Sequence, residues 1–188
     1  EKNLAAEMLR KLLEGNLKTM EKTNLVKSEK FSEKLKKTLN KYRNQAITNA
    51  EVIEELINMA HELKNIKTRE EELGLGTDEI AFYDALTADD AVKDFMTDDT
   101  LKKIAHELTS AIKRNISIDW SIKKSAQAGM RKIIKRLLKK YDYPPDKSKK
   151  ALETVLRQAE LMCGNVEVDD LRIDMVEIGR ASCRERVS

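Results

Sequence analysis

From Ser28 to Glu72 the chain reads SEKFSEKLKKTLNKYRNQAITNAEVIEELINMAHELKNIKTREEE, without a proline or a glycine. Its apolar positions, Phe31, Leu35, Leu39, Tyr42, Ala46, Ala50, Ile53, Ile57, Ala60 and Leu63, follow one another in steps of three and four. That spacing lines one side of an α-helix. Read as one element, the segment would reach on the order of 65 Å at the rise of an α-helix. A rod of that length stays ordered only if other helices cover its stripe. The stretch therefore predicts an all-α fold: a multi-helix bundle built around one very long helix, over about 28–72, with shorter helices packed on it.

The flanks agree with a helical reading. Upstream, Leu4, Met8, Leu12 and Leu13 mark a helix from Leu4 to Glu14 that stops at Gly15-Asn16. Downstream, Gly74-Leu75-Gly76 supplies two residues suited to a left-handed cap. A short helix runs from Thr77 or Asp78 to Leu86, and Thr87 with Asp90 three places on resembles a capping-box start. Thr97-Asp98-Asp99 opens the run Leu101, Ile104, Ala105, Leu108 and Ile112, which breaks at Asn115 to Ser117. Ile118 or Asp119 then opens a helix to about Lys140. In the connector Tyr143-Pro144-Pro145-Asp146, Pro145 is placed to start a final helix, Asp146 to Met162. Past Gly164 the pattern fades, with Val166-Glu167-Val168 and Leu171-Arg172-Ile173 alternating weakly like a short strand. No repeat of 20–50 residues is present.

Composition narrows the function classes. Of 188 residues, 37% are charged, against about 25% in an average soluble domain. The 40% that are hydrophobic suffice for one sizeable core. Two prolines and six glycines leave little room for the turns of an all-β fold. No apolar run is long enough to span a membrane, and no secretory signal is present, so a cytoplasmic location without membrane contact is expected. The ending Ile178-Gly179-Arg180-Ala181-Ser182-Cys183-Arg184-Glu185-Arg186-Val187 reads like a common sequencing adapter translated in frame. With the missing initial Met, it suggests a truncated gene whose natural sequence stops near Glu177. The expected division is a helical domain over 1–165, a poorly defined tail over 166–177 and an artefact over 178–188.

Charge is segregated along the chain. Residues 51–100 hold 15 acids and 4 bases, whereas residues 101–150 hold 15 bases and 4 acids. Within the helix at about 118–140, Ile122, Ala126, Met130, Ile133, Ile134, Leu137, Leu138 and Tyr141 share one side. Lys124, Arg131, Lys132, Lys135, Arg136 and Lys139 occupy most of the other. Such a basic amphipathic helix reads as a surface for DNA phosphates or for a partner's acids. It reads equally as a solvated face, or one neutralised by the acidic 51–100 segment.

Reactive constellations are missing. His61 and His106 stand in near-copies, Ala60-His61-Glu62-Leu63 and Ala105-His106-Glu107-Leu108. A zinc-protease helix needs a second His four places on, where Asn65 and Ser110 stand. A di-iron bundle needs Glu three places before each His, where Asn58 and Lys103 stand. Each His is therefore expected at an ion pair or a core border, with no metal. Cys163 and Cys183 have neither metal-ligand nor redox spacing. No phosphate-cradling P-loop and no Gly-x-Ser-x-Gly elbow occurs, so neither catalytic nor cofactor-binding residues are assigned. Trp120 could stack on a base, anchor an interface or pack in the core. Phe82 and Tyr83 are expected in the core.

Several blocks carry a resemblance. Asn24-Leu25-Val26 with Phe31-Ser32-Glu33 is one, and Glu71-Glu72-Leu73-Gly74-Leu75 followed by Glu79 to Leu86 is another. Asn115 to Trp120, Arg136 to Lys147 with Tyr143-Pro144-Pro145-Asp146-Lys147, and Glu153-Thr154-Val155-Leu156-Arg157-Gln158-Ala159-Glu160 complete the series. In this order, over about residues 4–162, they resemble the C-terminal region of the R (restriction and motor) subunit of type I restriction–modification enzymes. The resemblance implies a parent subunit that cuts DNA with one domain and translocates it with two ATP-driven domains, using ATP and Mg²⁺. It implies for this region a non-catalytic role, docking that subunit onto the methyltransferase core. Motor and nuclease motifs are absent here, so no catalytic residue carries over. The alternative is a self-standing helical module that binds nucleic acid through the 113–150 basic surface.

Overall fold

The segment from Ser28 to Glu72 folds back on itself. A computed structural model of the chain describes residues 2–115 and 124–184, with side chains described at 4–66, 68, 72–115 and 124–164. These residues form seven α-helices and a short 3-10 turn, so the fold is all-α, as the periodicity predicts. The one very long helix is instead two, α2 (Leu25–Arg43) and α3 (Asn49–Leu73). Gln45 takes a left-handed conformation at φ 56. Ala46 N–H donates to Lys41 O at 2.9 Å and Gln45 N–H to Tyr42 O at 3.0 Å, the two bonds of a Schellman stop. Thr48 restarts the helix through a capping box: its N–H donates to Glu51 Oε2 at 2.6 Å and its Oγ1 accepts from Glu51 N–H at 3.3 Å. The two arms are pinned antiparallel. Tyr42 pairs with Asn49, Thr38 Oγ1 donates to Glu55 Oε2 at 2.6 Å, and Lys34 pairs with Glu62.

The turn also resets the phase of the stripe. Val52, Leu56, Met59 and Leu63 are buried in α3, whereas Ile57 is 40% exposed and Ala46 and Ala50 are exposed. Helix α1 (Lys2–Thr23) passes through Gly15 without stopping, because Leu13, Leu17 and Met20 continue its buried side into the same core. Leu4, Met8 and Leu12 face outward, at 64%, 64% and 53% exposure. Helices α1 to α3 thus share one apolar core, to which α2 contributes Phe31 and Leu35.

A second core gathers α4 (Thr77–Leu86), α5 (Asp98–Asn115), α6 (Lys124–Lys140) and α7 (Pro145–Arg184). Gly74, at φ 63, ends α3 in the left-handed region as expected. Ile80, Ala81, Phe82, Tyr83, Ala85 and Leu86 are all buried, so α4 is wrapped by neighbours on every side. Thr87 closes α4 rather than opening the next element: its hydroxyl donates to Tyr83 O at 2.9 Å. The 3-10 turn Asp90–Asp94 starts from Asp89, whose carboxylate accepts from Ala91 N–H. Thr97 O accepts the first N–H groups of α5, and Pro145 occupies the first position of α7, both as expected. The backbone of α7 stays helical through Gly164 to Arg184, replacing the weak strand read over 166–173. Trp120 and Ile122 lie outside the described residues.

The two cores meet at a polar joint. Gln158, 2% exposed, accepts from Leu25 N–H and donates to Thr23 O, both at 2.9 Å. Asn24 caps α2 by accepting from Lys27 N–H, and its Nδ2 donates to Asp84 Oδ2 at 2.6 Å. Lys27 Nζ reaches the same carboxylate at 2.9 Å.

Candidate anion-contact surface on the sixth helix

Helix α6 is amphipathic because its apolar residues recur every four places. Met130, Ile134 and Leu138 are buried at 2%, 0% and 3% exposure, and Ala126, Leu137 and Tyr141 pack partly buried beside them. Ile133 is only half-buried. All six basic candidates, Lys124, Arg131, Lys132, Lys135, Arg136 and Lys139, are exposed on the opposite side. Among the described residues none of the six forms an ion pair.

Neighbouring cations behave differently. Lys113 Nζ lies 2.7 Å from Asp78, Lys147 Nζ 2.9 Å from Asp89 and Lys140 Nζ 2.8 Å from Glu107. His106 Nδ1 sits 2.5 Å from Glu79 Oε1, an ion-pair position as expected for that residue. The acidic 51–100 segment thus takes up Lys113 and Lys147, and on the other side Lys27, Lys34 and Lys41. It does not neutralise the α6 face. These contacts hold the carboxylates low: the Lys147 ammonium lowers Asp89, and the Lys140 ammonium, followed by the Tyr141 hydroxyl, lowers Glu107. Glu79 is lowered first by the Gly76 N–H it accepts.

The connector fixes the angle between α6 and α7. Asp142 adopts φ 49, and Tyr143 N–H donates to Leu138 O at 3.0 Å. The Tyr143 ring is buried, and its hydroxyl donates to Leu86 O at 2.7 Å. Burial, with Asp89 nearby, pushes that phenol up to about 12. Anchored there, the two helices flank a groove of about 610 Å³. Arg131, Lys135 and Lys139 line one wall and Lys149 the other, over Leu138 and Leu152. Lys124, Lys132 and Arg136 lie outside it. Lys149 was not among the candidates, because its place beside α6 depends on how the Tyr143–Pro145 turn folds the chain. The only local signal was Lys149-Lys150 one turn into a helix that opens at Pro145. Among the described residues no group of three or more His, Cys, Asp or Glu side chains is placed to share a metal ion. No described helix is long and apolar enough to cross a membrane.

The model of the family described as "Type I restriction enzyme HindI endonuclease subunit-like, C-terminal" matches residues 1–165. The chain belongs to this family. It is 36% identical over 159 residues to the type I restriction enzyme HindI endonuclease subunit of Haemophilus influenzae, a match covering 85% of this chain and 15% of that protein. It is also 36% identical over 141 residues to a putative type I restriction enzyme MjaIXP endonuclease subunit of Methanocaldococcus jannaschii, covering 74% of this chain and 13% of that protein. No solved structure matches. The chain therefore spans about a seventh of the length of these relatives, and corresponds to the C-terminal part of a type I restriction endonuclease subunit.

Proposed function

We propose that this chain is the assembly region of the R subunit of a type I restriction enzyme. It docks the DNA-translocating and DNA-cleaving parts of that subunit onto the methyltransferase core, in the cytoplasm. ATP- and Mg²⁺-dependent chemistry belongs to the remainder of the subunit, and this region contributes adhesion. The observation that carries the reading is the contrast on and around α6. Lys113, Lys140 and Lys147 are each matched with an acid of the fold, whereas the six bases of the α6 face are displayed without one. A surface of unpaired cations on a rigid helix suits an anionic partner, which it would attract at long range and hold in register.

The test is to mix the chain with purified methyltransferase core, free of DNA, and follow co-migration by size exclusion at low salt. Co-migration that weakens with salt, and is lost when Lys132→Glu and Arg136→Glu are combined, is the expected result. Absence of co-migration at low salt would contradict docking.

A further inference from the structure

We infer that the groove between α6 and α7 seats the sugar–phosphate backbone of duplex DNA. The inference rests on reading the α6 face as an external contact surface, and it names the partner of one flank of that face. Arg131, Lys135 and Lys139 stand four residues apart, so their cations form a row with about 6 Å between successive members along the helix. Lys149 faces them from the first turns of α7, and all four bases are exposed. A single acid, Glu153, lines the same groove, leaving an excess of positive charge.

The charged groups of the two walls suit a phosphate backbone. Protein interfaces are built around apolar or aromatic anchors and are poor in lysine. Here the apolar floor is already committed to the core: Leu138 and Leu152 are 3% and 7% exposed. The large apolar side chains that are exposed among the described residues, Leu4, Met8, Leu12, Ile57 and Phe95, all lie on other elements. Beside Pro145, exposed at the start of α7, what the groove offers a ligand is a lined-up set of cations. That is the composition of a surface which positions a phosphate backbone through counterion release and reads no base sequence.

Fluorescence anisotropy of the whole chain with a labelled 20-base-pair duplex, titrated at 50 to 200 mM NaCl, tests this. With four phosphates contacted, affinity should fall about a hundredfold over that range and should not depend on base sequence. Arg131→Glu, Lys135→Glu and Lys139→Glu together should weaken binding at least tenfold. Lys149→Glu alone, on the other helix, should lower the salt slope by about one. Lys93→Glu, on an exposed lysine far from the groove in sequence, should change neither. Circular dichroism of each variant checks that the helices persist. No DNA binding, or binding indifferent to both groove variants, overturns the inference. So does a groove variant that abolishes co-migration with the DNA-free methyltransferase core while leaving DNA affinity intact, because the groove would then hold protein. Co-migration without DNA binding leaves docking standing and removes this inference. DNA binding without co-migration does the reverse.

Discussion

Gln158 shows how a single residue can hold two cores in register. Its buried amide spans the turn between α1 and α2, accepting from Leu25 N–H and donating to Thr23 O. Replacing it by Ala would strand a backbone donor and a backbone acceptor, each of which costs free energy when buried without a partner. Gln158→Ala should therefore destabilise the chain by about 2–3 kcal/mol in urea unfolding. A change below about 0.5 kcal/mol would mean that the joint is not formed in solution. The sequence contained both halves, since Asn24-Leu25-Val26 and Glu153 to Glu160 are among the blocks that resemble the restriction family. It did not contain their pairing, because residues 133 positions apart declare no contact through periodicity. The resembling blocks also include Tyr143, bonded to Leu86 O, and Glu79, bonded to Gly76 N–H. What those residues do in this fold is shape it.

At the scale of elements, the α2–α3 hairpin explains the main disagreement with the sequence reading. A three-four stripe says that a segment is helical and one-sided; it does not say that the segment is continuous. Two helices that fold back onto a shared core give nearly the same pattern, with the phase shift hidden in the turn. Here the stop falls on Gln45 rather than a glycine, so the commonest stop signal was absent. The restart was readable, since Thr48-Asn49-Ala50-Glu51 has capping-box spacing. The phase shift is why Val52, Leu56 and Met59, absent from the predicted stripe, form the core face of α3. A non-glycine residue in the left-handed region costs about 1 kcal/mol. Gln45→Gly should therefore raise stability by about 0.5–1 kcal/mol in urea unfolding despite the added freedom of the unfolded chain. A clear loss of stability would contradict the turn. The amphipathic character of α6 was readable by contrast, because its face is set within one helix; Ile133, only half-buried, sits at the edge of that face, and Lys149, supplied by a different helix, escaped.

For the molecule as a whole, opposite charges along the chain become contacts across the fold. Glu55 is lowered first by the Thr38 hydroxyl and then by Lys41, Glu79 by the Gly76 N–H, and Glu107 by Lys140, each from an ordinary value of 4.5. Carboxylates lowered in the folded state make the unfolded chain the better proton binder in acid, so stability rises with pH through that window. Their contribution is complete above about pH 4.5 and is lost as pH falls through the folded values. The urea midpoint should hold steady between about pH 5.5 and 7 and drop below about pH 4.5; a midpoint unchanged down to pH 3 would contradict these pairings. Glu29, Glu55, Glu62, Asp78, Asp84, Asp89 and Glu107 thus hold cations within the fold, while six cations without an ion pair among the described residues line one face of α6. Whether that face is a contact surface is tested most directly by amine-reactive footprinting of the chain alone and in a reconstituted restriction complex on DNA. Labelling of Lys132, Lys135 and Lys139 should fall severalfold on assembly while that of Lys36 and Lys93 stays constant. Unchanged labelling of the α6 lysines in a complex that has demonstrably formed would contradict the assignment.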